Sequence, residues 1–242
     1  GGHCVRGLVL FLRRLTSAQS AGLLIMPTAE QATRAPSRLT RKEKQAETRA
    51  RLLDAAERVF LRRGLQGSSV EEIAAEAGFT RGAFYSNFKS KDELFVELLQ
   101  DRVYRRYAEM AEEAEEQPGM PRERLRWGIE RVRDVQKGED GNWLFRLWLE
   151  CLTQAARDEE FRKLAATFWS GNRGVLAEQS RAAFKEVGRK PPLPPQQIAT
   201  AMIALDVGLA VQHLVDPDEA PLDLYVPLFD LLFGRLVDPD TK

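Results

Sequence analysis

The run from Ser69 to Lys91 leaves this chain few ways to fold. Val70, Ile73, Ala74 and Ala77 recur at helical spacing. Ser69 stands where an N-cap belongs, and Glu71 and Glu72 fill the first turn, where the helix dipole favours acids. Gly78 follows the last apolar position, where the backbone needs a left-handed residue to leave a helix. Thr80 then caps a second helix that buries Phe84 and Phe88 and turns Arg81, Gly82, Tyr85 and Asn87 outward. Two short helices about a tight turn are either a plain helical corner or a helix–turn–helix, whose second helix enters the major groove of DNA.

The flanking residues bear on that choice. From Arg41 to Arg63, Leu52, Leu53, Ala56, Val59 and Phe60 form an apolar stripe that Gly64 ends. The zero net charge hides an asymmetry: residues 1–91 hold sixteen basic and eight acidic residues, and residues 92–242 hold twenty and twenty-eight. A basic N-terminal part joined to an acidic remainder suits a module that meets phosphates and a domain that does not.

As a set, Thr48, Arg49, Leu52, Leu53, Ala55, Ala56, Phe60, Gly64, Ser69, Val70, Ile73, Ala74, Ala77, Gly78, Gly82, Phe84, Tyr85, Phe88, Lys91 and Leu94 closely resemble the DNA-binding domain of the tetracycline-repressor (TetR) family of bacterial transcription regulators. The resemblance covers residues 48–94. Asn87 departs from it, since the family most often has histidine there. The resemblance implies an all-α chain, with a three-helix helix–turn–helix domain over 41–92 and a larger helical ligand-binding and dimerisation domain over 93–238. Residues 1–40 are expected to form a disordered leader and basic arm, with Met26 a more natural start than residue 1.

The candidate DNA contacts are Thr48, Ser69, Thr80, Arg81, Gly82, Tyr85, Asn87 and Lys91. Arg81 suits a bidentate pair with guanine, worth about 1–3 kcal/mol of discrimination. Gly82 either lets the backbone approach DNA or avoids a clash inside the hairpin. The resemblance favours phosphate contact for Thr48, Tyr85, Asn87 and Lys91. A recognition helix from Thr80 to Phe88 is about 14 Å long and reads few base pairs. The expected partner is therefore a palindromic DNA operator bound by a homodimer, joined through the last two helices, about 195–215 and 222–236. Ala199, Ala204, Gly208 and Ala210 suit that packing or internal packing alike.

Behind the motif the pattern stays helical. A long helix spans about Lys91 to Glu116 and ends in the acidic run Glu112 to Pro118. A further helix carries Leu125, Trp127, Ile129 and Val132, and a central one, apolar almost all round, covers 142–152. Another long helix covers about Asp158 to Val187. Residues 191–195 are a proline-rich connector, and Pro227 either kinks the last helix or marks its start. Trp127, Trp143, Phe145, Trp148, Phe168, Trp169 and Met202 suit a small hydrophobic or aromatic ligand, with Asn172, Asp206, Gln212 and His213 as polar candidates. Each also suits plain core, and His213 reads foremost as a satisfied helix-end histidine.

Two cysteines, Cys4 and Cys151, do not make a disulfide framework, and a reduced, cytoplasmic setting follows. No stretch of about eighteen apolar residues is evident, so no membrane partner is expected. Phosphate loops, metal-spaced His or Cys pairs and nucleophile elbows are not apparent, and no enzyme, cofactor or metal site is expected. The reading is a ligand-responsive repressor. An activator or a ligand-independent regulator is the alternative, with an all-α enzyme or carrier beyond it.

Overall fold

The computed structural model describes residues 40–115 and 121–233, and every regular element among them is helical. The leader, most of the basic arm, the end of the acidic run after Glu115 and the tail beyond 233 lie outside the described residues.

Thr40 opens α1 (Arg41–Arg63) with a capping box, its hydroxyl accepting from the Glu43 amide while Glu43 accepts from the Thr40 amide. Leu52, Leu53, Ala55, Ala56, Val59 and Phe60 form the buried face. Gly64 then leaves the helix at φ 70° and ψ 173°, a region essentially closed to other residues. Ser69 caps α2 (Val70–Glu76) through the Glu72 amide, and Thr80 caps α3 (Arg81–Tyr85) through the Ala83 amide. Gly78, at φ 74°, makes the turn between them.

The recognition helix is shorter than its apolar spacing suggested, ending at Tyr85 rather than Phe88. The Ser86 hydroxyl donates to the Gly82 carbonyl and the Asn87 side-chain amide to the Ala83 carbonyl. The Gly82 carbonyl also accepts the Ser86 backbone N–H, but the Asn87 backbone N–H turns to Phe84, so a side chain satisfies the Ala83 acceptor that a further helical turn would have used.

Helix α4 (Lys91–Glu115) crosses behind the three short elements. It is followed by α5 (Pro121–Lys137), α6 (Glu139–Arg157), α7 (Glu159–Glu186) and α8 (Pro195–Val215). A single 3-10 turn at Leu222–Leu224 leads into α9 (Tyr225–Phe233). Pro227 falls in the first turn of α9, where its missing N–H breaks no intrahelical bond, so it marks a start and not a kink.

Two buried clusters hold the chain together. One begins with the apolar faces of α1–α3 and runs through Leu94, Phe95, Leu98 and Leu99 of α4 into Leu147, Trp148 and Cys151 of α6 and Phe161, Ala165 and Phe168 of α7. The other joins Ile129, Phe184, Ile198 and Leu209 to Tyr225, Phe229 and Phe233. No break in the core falls at residue 92, because α4 belongs to both sides of it.

Helix α8 corrects the expectation about apolar length: by length and composition alone it could cross a membrane, although only 28% of that stretch is buried in the single chain. Ala199 and Ala210 face inward and are buried, whereas Ala204, Val211 and Val215 are exposed. A side chain added at Gly208 would meet nothing within 4 Å. Leu231 and Leu232 of α9 are exposed as well.

Candidate nucleic-acid interface

The three short helices are braced from behind. Arg49 of α1 donates to the Asn87 carbonyl, pairs with Glu97 of α4 and lies 4.1 Å from the centre of the Phe88 ring. Arg51 donates to the Ala77 carbonyl at 3.0 Å and covers Phe79, so the end of α2 and the turn after it rest on α1. Arg58 and Arg62 both reach Glu76, at 2.9 and 2.8 Å, and hold its carboxyl below the usual range. Arg102 of α4 pairs with Asp54 and Glu57 of α1. Burial alone would lower its pKa, but its hydrogen bonds to Glu57 and Asp54 raise it further.

On the open side stand Arg81, Gly82 and Tyr85. A side chain added at Gly82 would meet only the Thr80 hydroxyl, at an ordinary 3.7 Å. Nothing inside the hairpin therefore requires glycine there, and the bare backbone faces solvent. Tyr85 is 48% exposed, with its ring edge-on to the buried Phe84. Thr80 and Ser69 sit exposed beside them as caps. Thr48 is half-buried, its hydroxyl donating to the Lys44 carbonyl at 2.9 Å.

Two of the expected phosphate contacts make hydrogen bonds within the protein. Lys91 Nζ donates to the carbonyls of Leu65 and Ser68, at 2.6 and 2.7 Å. Burial lowers its pKa, against the opposing charges of Asp92 and Glu150. The side chain pins the α1–α2 turn instead of reaching outward. Asn87 donates one amide N–H to the Ala83 carbonyl, and its amide oxygen is buried without a hydrogen-bond partner. The buried oxygen offers nothing to a phosphate, itself an acceptor, and one of the two amide N–H groups is already engaged by Ala83.

Glu150 of α6 reaches the same turn, where its carboxylate accepts the Leu65 N–H and Gln154 accepts from Gln66 at 2.6 Å. Glu150 is absent from the sequence-based candidates, since its partner lies 85 residues away in the chain.

The eleven ligand candidates do not form one group. Phe145 stacks on Trp148, Trp148 meets Trp169 edge-on at 5.5 Å between centres, and Trp169 touches Phe168. Trp143 packs against the same cluster. Facing them, Gln100 of α4 donates to the Thr167 hydroxyl, and buried Tyr104 lays its hydroxyl where a side chain at Gly171 would be. Asn172 is buried on α7. Met202 belongs to the other cluster. Asp206 is tied to Tyr225 and Gln136; burial pushes its pKa up, against those two hydrogen bonds. Trp127 stands half-buried on α5, outside both clusters. Gln212 is exposed, and the His213 ring pairs with the Ala220 carbonyl at 3.0 Å, as a satisfied helix-end histidine should.

Residues 52–98 match the model described as bacterial regulatory proteins, tetR family, and residues 121–231 match that of the C-terminal part of BetI-type transcriptional repressors. The chain is 42% identical over 74 residues to the HTH-type transcriptional regulator TtgR of Pseudomonas putida, spanning 31% of this chain and 35% of that protein. It thus spans about a third of the length of the first such curated relatives. Across 74% of its own length and 88% of the other's, it is 24% identical to the HTH-type transcriptional repressor DhaR of a Mycobacterium species. The fold is also that of the transcriptional regulator FadR of Bacillus subtilis, solved in complex with stearoyl-CoA. The TM-score is 0.59 at 20% identity, covering 76% of this chain and 98% of that one.

Proposed function

The chain belongs to the tetR family of bacterial regulatory proteins, and from that premise we propose that it is a ligand-responsive repressor that binds a palindromic DNA operator as a homodimer. The observation that carries the reading is the exposed face of α3. Arg81, the unfilled space at Gly82 and Tyr85 project together from a helix whose attitude is fixed by α1. Ser69 and Thr80, whose hydroxyls accept in their caps and keep an O–H to donate, flank this face as phosphate donors, and Thr48 joins them by turning its hydroxyl away from the Lys44 carbonyl.

The outward apolar stripe of α8, with Leu231 and Leu232 of α9, supplies the surface for a second copy of the chain. Burial of that stripe in a dimer also accounts for a helix of such apolar length in a soluble, cytoplasmic protein. The effector we propose is a small hydrophobic or aromatic molecule, bound where α4, α6 and α7 bring Trp143, Phe145, Trp148, Phe168 and Trp169 near Gln100, Tyr104 and Asn172. The complex of FadR with stearoyl-CoA, a molecule with a long acyl chain, supports an apolar effector. Such a molecule releases DNA only by binding the released state better, a tenfold preference being about 1.4 kcal/mol.

The test is selection of duplexes from a random pool, followed by footprinting on DNA flanking the gene. A symmetric sequence bound by a dimer, and freed by compounds that quench tryptophan fluorescence, is expected. Retention of no duplex at low salt would return the chain to the enzyme-or-carrier alternative.

A further inference from the structure

Arg81, the first residue of α3, is held in place before any duplex arrives. Its Nη1 lies 2.9 Å from the Glu71 carboxylate of α2, and its guanidinium carbon lies 5.4 Å from the centre of the Tyr85 ring. The side chains of Arg81 and Glu71 are 64% and 57% exposed, and pairs so open to water contribute little to folding. The α2–α1 contact is already made by Glu72 with Arg63 and by Glu76 with Arg58 and Arg62. Glu71 alone of these acids turns to the recognition helix. The backbones beneath it and Arg81 are fixed by the Ser69 and Thr80 caps and by buried Ile73, Ala74 and Phe84.

We propose that Glu71 is a specificity-determining residue, one that orients the Arg81 guanidinium for guanine and keeps the same surface from binding DNA indiscriminately. The inference rests on the DNA-binding reading above. An arginine left free loses much rotamer freedom on docking, whereas this one is steered by a carboxylate at one end and a ring beneath. A guanidinium carries five N–H donors. Glu71 engages one at Nη1, so four remain, enough to serve guanine O6 and N7 while the ion pair persists in the complex. The carboxylate also repels phosphates, a penalty that falls on every sequence alike. The orienting gain exists only where guanine stands opposite Arg81, so the two effects together widen the ratio between right and wrong sites.

The experiment uses the full chain and the duplex it selects from a random pool. Binding is measured to that duplex, to one with the guanine opposite Arg81 replaced by adenine, and to random duplex. The proteins are wild type, Glu71→Ala, Glu71→Gln, Arg81→Ala and the Glu71→Ala/Arg81→Ala double variant. Glu71→Ala should lose about twofold to fivefold of the guanine preference, the range of an exposed ion pair, while holding random duplex as tightly or more tightly. Glu71→Gln, which keeps an acceptor, should recover part of the loss. With Arg81 already removed, Glu71→Ala should change the preference no further. The same change in both backgrounds, or an equal change on all three duplexes, overturns the proposal. A wild type that selects no sequence overturns the DNA-binding reading beneath it, which is a separate result.

Discussion

Glu150 and Leu65 are 85 residues apart in the chain, yet the Glu150 carboxylate accepts the Leu65 backbone N–H. The Leu65 carbonyl accepts from Lys91. One peptide segment of the α1–α2 turn is therefore gripped from α6 on one side and from α4 on the other. Those two helices also carry Trp148 and Tyr104, beside which the effector is proposed to sit.

Removing the α6 grip should register at that turn first. Glu150→Ala deprives the Leu65 amide of its acceptor, so its hydrogen exchange should quicken while that of buried Ile73 is unchanged. Operator affinity should shift without any change in the preferred sequence, since no base-facing side chain is touched. Unaltered exchange at Leu65 would show that the grip is not made in solution.

Gly64→Ala meets two obstacles at once. Its backbone conformation is one that costs alanine about 1–3 kcal/mol to adopt, and the new Cβ would lie 2.8 Å from a Glu150 oxygen. Urea unfolding should show a loss of that order. Adding Glu150→Ala should restore only the steric part, leaving the variant below wild type.

Lys91→Ala separates a structural from a DNA-contacting lysine. Two carbonyls lose a charged donor, at a cost of about 1–3 kcal/mol, so the melting temperature should fall. The slope of log affinity against log salt should stay as in wild type. A slope shallower by about one unit would put Lys91 back among the phosphate contacts.

Cys151 is buried, and burial pushes its thiol up to about 12. The thiolate is the reactive form. Iodoacetamide at about pH 8 should leave the Cys151 peptide unmodified in folded protein and alkylate it in denaturant, as read by mass spectrometry. Labelling of folded protein would mean that α6 opens.

Acid should loosen the α1–α2 contact through Glu76. Hydrogen bonds from Arg58 and Arg62 hold its carboxyl below the ordinary 4.5. A lowered acid contributes stability above its unfolded value and loses it as pH falls through the folded one. From about pH 5 to about pH 3, wild type should therefore lose more melting temperature than Glu76→Gln. Parallel curves would remove Glu76 from the acid response.

The motif was legible because its determinants are local. Caps, apolar spacing and the Gly78 turn lie within a few residues of one another, and the Thr80 and Ser69 caps form as that spacing requires. The length of α3 was not legible, because the Asn87 side chain takes the Ala83 carbonyl in place of a backbone N–H, a matter of side-chain geometry and not of spacing. Lys91 was expected at a phosphate on the strength of the resemblance, while the carbonyls it binds lie 26 and 23 residues away. Tyr225 and Asp206 likewise meet only once α9 has folded back on α8. The aromatic residues of α6 and α7 could be listed from sequence, but which of them touch depends on how those helices cross.

The paired arginines between α1 and α4 bear on how such a regulator can be rebuilt. A hybrid joined at residue 92 would keep Arg49 but discard Glu97, and would keep Asp54 and Glu57 but discard Arg102. A splice placed after Arg102 carries both clasps with the reader. The transferable cassette is thus longer than the sequence motif by about three turns of helix, and exchanges of effector specificity should be cut there.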